Sequence, residues 1–132
     1  MRTIKFRGRS LDGKEWYHGD LEYNRVDNIA RIHTYDKDGY YIRQYYVNPN
    51  TVGQFTGLQD KNGKDIYEGD IICFVDGLKR VNDEWIDNKH IYEVEYSGAA
   101  FRGVLGLSEC TDAVEIIGDI YDNPDLLKGS QP

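Results

Sequence analysis

The sequence predicts a mainly β fold: a small twisted barrel or a partly open sheet of short antiparallel strands, finished by a short helix. Apolar and polar residues alternate with period two in several short segments, which is typical of half-buried strands. Asp-Gly and Asn-Gly pairs separate these segments and favour tight hairpin turns. The 132 residues include 11 Tyr and two Trp, and such aromatic residues favour pleated surfaces over helices.

The first half of the chain predicts three hairpins. In the segment 4–7, apolar and basic residues alternate, so Ile4 and Phe6 are expected to face the core and Lys5 and Arg7 the solvent. A turn is expected at 11–14. Strands at 30–35 and 40–47 flank a four-residue loop at 36–39, and a further turn follows at 60–64. A single helical turn is expected after Asn50 and Thr51.

In the second half, strands are expected at 66–75, 91–96, 104–107 and 114–121. The segment 76–90 has no clear periodicity, which predicts a mobile excursion in which Trp85 and Ile86 pack against the fold. Near the end, Asn123 is a suitable cap, Pro124 suits the first helical position and Asp125 complements the helix dipole. The sequence therefore predicts a short C-terminal helix that packs its two leucines on the sheet.

A chain of this length is expected to form one domain, residues 1–132, that needs neither a disulfide nor a metal to fold. Its longest apolar run, residues 71–75, is far shorter than the roughly 20 residues that cross a bilayer. Charged residues directly after Met1 interrupt any signal-peptide core. We therefore expect a cytoplasmic protein without a membrane segment.

The charge is divided unevenly along the chain. Residues 1–66 carry 11 Lys/Arg against 9 Asp/Glu, whereas residues 67–132 carry 5 against 14. The acidic half disfavours nucleic-acid binding through the whole surface, and leaves a local basic face at Arg2, Lys5, Arg7 and Arg9. A solvated surface, head-to-tail self-association and a small anion site all remain consistent with this asymmetry.

No known catalytic or metal-binding motif is present. Cys73 and Cys110 are interpreted as small core residues, and the histidines at 18, 33 and 90 are too scattered for a zinc motif. The P-loop and nucleophile-elbow patterns are absent. The sequence therefore predicts a protein that is not an enzyme and that has no cofactor.

A nine-residue segment occurs twice. Residues 13–21 and 63–71 align without gaps, and five of the nine positions are identical. A duplicated strand unit would give Tyr17 and Tyr67 the same orientation. Asp20 and Asp70 would then each accept hydrogen bonds from nearby backbone N–H groups and would not meet at a metal.

The segment containing the second copy carries a family resemblance. Residues 47–72, from Val-Asn-Pro-Asn through Gly-Leu-Gln-Asp-Lys-Asn-Gly-Lys to Glu-Gly-Asp-Ile-Ile, closely resemble the signature of YopX-like proteins, which phages and prophages encode. The segments 4–7, 98–101 and 114–127 resemble that family too. The resemblance implies a self-associating bacterial cytosolic protein of phage origin whose molecular role is not established, and it supplies no catalytic residues.

Partner binding is the function that these residues favour. A strand at 40–46 would place Tyr41, Arg43 and Tyr45 on one face, where they could stack on bases, form a protein interface or cover the core. Our first hypothesis is a non-enzymatic homo-oligomer that binds a protein partner. The alternative is a weak nucleic-acid binder. A third hypothesis is a small hydrolase, which would need one of the three histidines beside a carboxylate in a deep pocket. The candidate partner-binding residues are Lys5, Arg7, Arg9, Tyr41, Arg43 and Tyr45.

Overall fold

The computed structural model describes residues 5–97, 100–102 and 114–129, and most of them lie in strands. It confirms the mainly β fold of antiparallel strands with a short C-terminal helix. The expected strand at 104–107, as well as Ile4, Gly98 and Cys110, lie outside the described residues. The elements are β1 (Phe6–Arg9), β2 (Trp16–Asn24), β3 (Ile29–Tyr35), β4 (Tyr41–Val47), β5 (Gly53–Gln59), β6 (Asp65–Tyr67), β7 (Asp70–Val81), β8 (Glu84–Glu93), β9 (Glu95–Ser97), β10 (Ala100–Arg102), β11 (Val114–Asp119) and α1 (Asp125–Gly129).

The chain forms two compact units that divide in sequence between Gly57 and Leu58. Strand β5 runs through this point and therefore contributes residues to both units. The expectation of a single domain stays a prediction.

In the first unit, five antiparallel strands have the order β4-β3-β2-β1-β5. One face of this sheet buries Ala30, Ile32 and Val47 almost completely, because alternate residues of a strand share a face. At one end, Ser10 forms a bridge with Val47, which links the end of β1 to the end of β4. The sheet therefore curls back on itself at one end and stays open along the rest of β4.

The predicted turns of this unit are confirmed. Between β3 and β4, the Asp36 carboxylate accepts hydrogen bonds from the backbone N–H groups of Asp38 and Tyr40. Gly39 completes the loop with a positive φ of 88°, which glycine adopts without steric cost. A single turn of 3-10 helix, capped by the Asn48 side chain, covers Pro49–Thr51, so the helical turn lies earlier than expected and does not follow Thr51.

The second unit contains a three-stranded sheet of order β11-β7-β8, together with β6 and the β9–β10 pair. Its core consists of the almost fully buried Ile66, Ile72, Val94 and Val114. As predicted, a turn at 60–64 joins β5 to β6. Gly63 completes it with a φ of 79°.

Asp60 connects this turn to the far strand β11. One carboxylate oxygen accepts from the N–H groups of Asn62 and Lys64, and the other accepts from the N–H of Ile116. Burial of the carboxylate opposes its ionisation, but the three backbone N–H groups outweigh burial and hold the pKa of Asp60 below its ordinary value. A single acidic side chain thus links residues 56 positions apart in the chain.

The expected excursion at 76–90 is wrong, because β7 and β8 continue through it as a long hairpin. Its two-residue turn places Asn82 and Asp83 at positive φ, 52° and 67°, and Asn and Asp tolerate this conformation better than most residues. A bulge at Gly77 shifts the strand alternation, which hides period two in the sequence. Trp85 is 64% exposed and Ile86 is also exposed, so their predicted packing against the fold is wrong.

The helix α1 begins at Asp125, directly after Asn123 and Pro124. The Asn123 carbonyl accepts from the N–H of Leu126, while its side chain accepts from the N–H of Asp119. Leu126 and Leu127 are half-buried. The predicted position of the helix is confirmed, although the Asn123 side chain bonds to the preceding strand.

The interpretation of residues 13–21 and 63–71 as one duplicated corner is wrong. Gly19 lies inside β2 opposite Phe6, whereas Gly69 sits in the turn between β6 and β7 with a φ of 94°. Gly19 is required because a Cβ there would collide with the His33 carbonyl oxygen. Asp70 accepts from the Tyr67 N–H as expected, but Asp20 is exposed on β2 and its carboxylate hydrogen-bonds the Tyr35 side chain.

Candidate interaction surface

Lys5, Arg7 and Arg9 lie on one face of the first sheet, opposite the face that buries Ile32, whereas Arg2 lies outside the described residues. The guanidinium carbons of Arg7 and Arg9 lie 4.2 Å and 4.9 Å from the centroid of the Trp16 ring. The Lys5 ammonium lies 4.8 Å from the centroid of the Phe55 ring. We call this side of the sheet the cation–aromatic face, because cations over aromatic rings are its main contacts.

The burial of Arg7 on this face differs from the expectation from the sequence. Arg7 was expected to face solvent, but it is only 6% exposed. Its planar guanidinium packs on the Trp16 indole, and arginine is suited to such stacking because it is less strongly hydrated than lysine. The side chains of β1 therefore alternate between two covered faces of the sheet, and not between the core and the solvent.

The candidate residues of β4 lie on two different faces. Tyr45 stacks on Tyr17 at 3.8 Å between ring centroids, and the Arg43 guanidinium lies 5.0 Å from the Tyr45 ring. These three residues lie on the side of Ile32, since Ile32 is directly opposite Tyr45. The Tyr41 hydroxyl instead lies 3.2 Å from Nδ1 of His33, which places it on the cation–aromatic face.

The predicted common face of Tyr41, Arg43 and Tyr45 is therefore wrong. The register between β3 and β4 shifts between Thr34 and Tyr35, so that Arg43 is opposite Thr34 and Tyr41 is opposite Tyr35. Ile42 is the extra residue of this bulge. One extra residue reverses the facing of the side chains that precede it.

A chain of polar contacts runs across the cation–aromatic face from Glu22 to Tyr41. Glu22 Oε1 lies 2.7 Å from Nε2 of His33, and Glu22 Oε2 lies 3.4 Å from Nη1 of Arg31. The hydrogen bond with His33 and the nearby charge of Arg31 lower the pKa of Glu22. In the neutral imidazole, Nε2 donates to Glu22 and Nδ1 accepts from the Tyr41 hydroxyl.

The edge of the sheet carries a group of exposed apolar side chains. Strand β4 is the terminal strand in the order. Its side chains of Tyr41, Ile42 and Tyr46 are 53%, 55% and 50% exposed, and Tyr40 beside it is 73% exposed. Sequence reasoning found the Tyr-rich strand, but it did not show that this strand is at an edge, because edge position depends on the pairing of the whole sheet.

A shallow cleft of about 220 Å³ lies on the first unit. Small-molecule sites usually enclose roughly 300–1,000 Å³, so its size does not indicate a substrate pocket. His33 lies beside the carboxylate of Glu22, but neither residue lines the cleft. The cleft is lined by Leu21, Tyr23, Asn28, Pro49, Asn50 and Val52.

Metal-ligand clusters and membrane-spanning helices were both searched for in the described part of the chain. Among those residues, no three His, Cys, Asp or Glu side chains come together as a metal site. In the same residues, no helix is long and apolar enough to cross a membrane. The arrangement offers stacking, charge and exposed strand backbone, which are the means of recognising another macromolecule.

The family model described as YopX protein matches residues 5–128, nearly the whole chain. The chain belongs to the YopX family. The YopX fold seen here is similar to the crystal structure of protein EF1440 from Enterococcus faecalis, with a TM-score of 0.58 and 24% sequence identity. The similarity covers 96% of this chain and 99% of the other. No curated protein matches this YopX sequence significantly.

Proposed function

We propose that this YopX-family protein is a non-enzymatic interaction module, encoded by a phage or prophage, that self-associates and binds a protein partner in the bacterial cytoplasm. The observation that carries the proposal is the exposed aromatic edge of the first unit. There, Tyr41, Ile42 and Tyr46 are each at least half exposed on one terminal strand.

The composition of this edge supports a protein partner. Tyr and Arg are enriched at protein interfaces and provide most of the binding energy at many of them. Single exposed apolar residues are common on protein surfaces, but a contiguous group is typical of an interaction site. Residues 40–42 form such a group.

Charge supports self-association as well. Residues 1–66 carry a small excess of basic groups and residues 67–132 a large excess of acidic ones. Opposite charge on two parts of one chain favours the encounter of two copies.

Size-exclusion chromatography with light scattering tests the self-association. We expect a molar mass above the 15.3 kDa of one chain at high micromolar concentration. A monomer under these conditions would contradict the self-association. Affinity capture from lysogenic cells, with and without nuclease, tests the partner: a protein retained after nuclease treatment supports the proposal, and loss of all partners contradicts it.

Nucleic-acid binding is the second candidate, and the row of Lys5, Arg7 and Arg9 on one face favours it. Both arginines already contact Trp16, so less of their charge is available to phosphate. If this candidate is correct, affinity for DNA or RNA oligomers falls steeply as salt rises. Replacing Lys5 with Ala then reduces that salt dependence, and replacing Lys89, which belongs to the second unit, with Ala does not. The absence of binding at low salt would exclude this function.

A further inference from the structure

The outer edge of β4 has the features of a strand that can accept another strand. Within the described residues, only Ser10 pairs with this edge, at Val47. The remaining residues, Tyr41–Tyr46, contain no proline and one charge, Arg43. Proteins usually protect open edges with charges, prolines or very short strands. The edge strand β8 of the second unit shows this protection. Its charged residues are Glu84, Asp87, Lys89 and Glu93.

The backbone of β4 shows which residues offer their hydrogen-bonding groups outward. The Asn48 N–H donates to the Arg9 carbonyl on the outer side, and the Arg43 carbonyl accepts from Thr34 Oγ1 on the inner side. Backbone groups of successive residues in a strand alternate in direction. The even-numbered residues Gln44 and Tyr46 therefore present their N–H and C=O groups outward, and the alternation ends at the bulge residue Ile42.

We propose that a second copy of this chain occupies this edge, pairing β4 with β4 in antiparallel orientation about a two-fold axis at Gln44. The inference rests on the proposed self-association and specifies its surface. Gln44 then forms both backbone hydrogen bonds with Gln44 of the second copy. Ile42 then lies opposite Tyr46 of the second copy.

The register follows from symmetry and charge. A two-fold axis normal to the sheet places residues that point to the same face opposite each other. The axis must therefore lie between the two copies of one residue. An axis at Arg43 would place two arginines opposite each other, which is destabilising. An axis at Tyr45 extends the pairing to Val47, where Ser10 already bridges the strand. An axis at Ile42 extends it into the turn at 36–40.

An axis at Gln44 gives complementary neighbours. Arg43 lies opposite Tyr45 of the second copy and Tyr45 opposite Arg43 of that copy. Arg43 already lies over the ring of its own Tyr45 at 5.0 Å, and in the pair each guanidinium group also lies beside the Tyr45 side chain of the other copy. The pairing also covers the exposed Ile42 and Tyr46 side chains.

Cysteine crosslinking tests this register in a full-length background that carries Cys73→Ser and Cys110→Ser. In one variant Gln44→Cys is added, and in the matched control Ile42→Cys is added. At the axis, the two Cα atoms of an antiparallel pair lie roughly 5.5 Å apart, within disulfide range. The two copies of position 42 lie four residues out of register, roughly 14 Å apart. We expect mild oxidation to give a covalent dimer for Gln44→Cys only.

The outcomes separate this inference from the proposed function. Preferential crosslinking of Ile42→Cys would overturn the register. A wild-type oligomer in light scattering together with no crosslink at either position would overturn β4 pairing, and would leave self-association through another surface intact. A monomeric wild type would overturn both.

A second pair of variants tests the backbone hydrogen bonds. Gln44→Pro removes the outward N–H, and proline is tolerated at an edge where that N–H faces solvent. Gln44→Val keeps the N–H and serves as the control. We expect loss of the dimer in Gln44→Pro and its retention in Gln44→Val, with circular dichroism showing that both fold. A dimer retained in folded Gln44→Pro contradicts the inference.

Discussion

At the scale of single residues, Asp60 stabilises the fold through buried hydrogen bonds. Asp60 is 6% exposed and its two carboxylate oxygens accept from three backbone N–H groups. It therefore stabilises both its own turn and the attachment of β11. Removing an acceptor leaves buried N–H groups without a partner, which usually costs more than the bond itself contributes.

Replacing Asp60 with Asn should lower the free energy of unfolding by about 1–3 kcal/mol, because the new amide NH₂ cannot accept from the N–H groups. Urea denaturation at neutral pH measures this loss. Asp38→Asn, in an exposed turn, is the control and should have little effect. Equal stability of the Asp60 variant and the wild type would contradict the proposed role of the carboxylate.

The same carboxylate predicts a pH dependence. Since folding lowers the pKa of Asp60, the unfolded chain takes up a proton there more readily than the folded chain. The stabilisation is therefore complete above the ordinary value of 3.8 and is lost as pH falls through the folded value. Denaturation midpoints measured across this range should converge for wild type and Asp60→Asn. A difference between the two midpoints that stays constant across this pH range would contradict the link between the pKa of Asp60 and stability.

At the scale of elements, the β7–β8 hairpin is the largest departure from the sequence prediction. Its turn places two residues other than glycine, Asn82 and Asp83, at positive φ. This geometry matches the tight turn that suits twisted strands, for which Asn-Gly is the preferred pair. Hairpin formation here follows from the compatibility of Asn and Asp with that turn.

Replacing Asp83 with Gly should stabilise the protein by about 0.5–1 kcal/mol, because glycine adopts positive φ without steric cost. Thermal denaturation should show a higher midpoint. Asp87→Gly, in the neighbouring strand, should instead lower it, since glycine in a strand interior is destabilising. A fall in the midpoint for Asp83→Gly would show that the Asp83 side chain matters more than its backbone.

The sequence was sufficient to predict the elements whose signals are local. The loops around Gly39 and Gly63 and the helix after Pro124 depend on adjacent residues, and each is where it was predicted. Features that depend on pairing could not be predicted in this way. The bulge opposite Thr34 separates Tyr41 from Tyr45, and the burial of Arg7 depends on a ring nine positions away, at Trp16.

At the scale of the whole molecule, the division between Gly57 and Leu58 falls inside one strand. The first unit uses β5 as the neighbour of β1, and the second begins with the end of the same strand. Loss of β5 therefore removes structure from both units. This arrangement favours cooperative unfolding, which is typical of single domains of this length.

The two tryptophans report on the units separately, because Trp16 lies in the first and Trp85 in the second. In each of the variants Trp16→Phe and Trp85→Phe, fluorescence follows the unit that keeps its tryptophan, and circular dichroism follows the whole chain. We expect the urea unfolding curve from fluorescence to coincide with the curve from circular dichroism in both variants. Two separated transitions would show that the units unfold independently and would contradict the prediction of one domain.

The bridge between Ser10 and Val47 has a consequence for the dynamics of β4. The strand is fastened at its Val47 end and open at its Tyr41 end, so local opening should begin near Tyr41 and rarely reach Val47. In the monomer, amide protons that point toward β3, at Arg43 and Tyr45, should exchange with deuterium slowly. Those of Gln44 and Tyr46 should exchange fast. Hydrogen-exchange measurements resolved to single residues would then show an alternating pattern along one strand, with the slowest positions toward its fastened end.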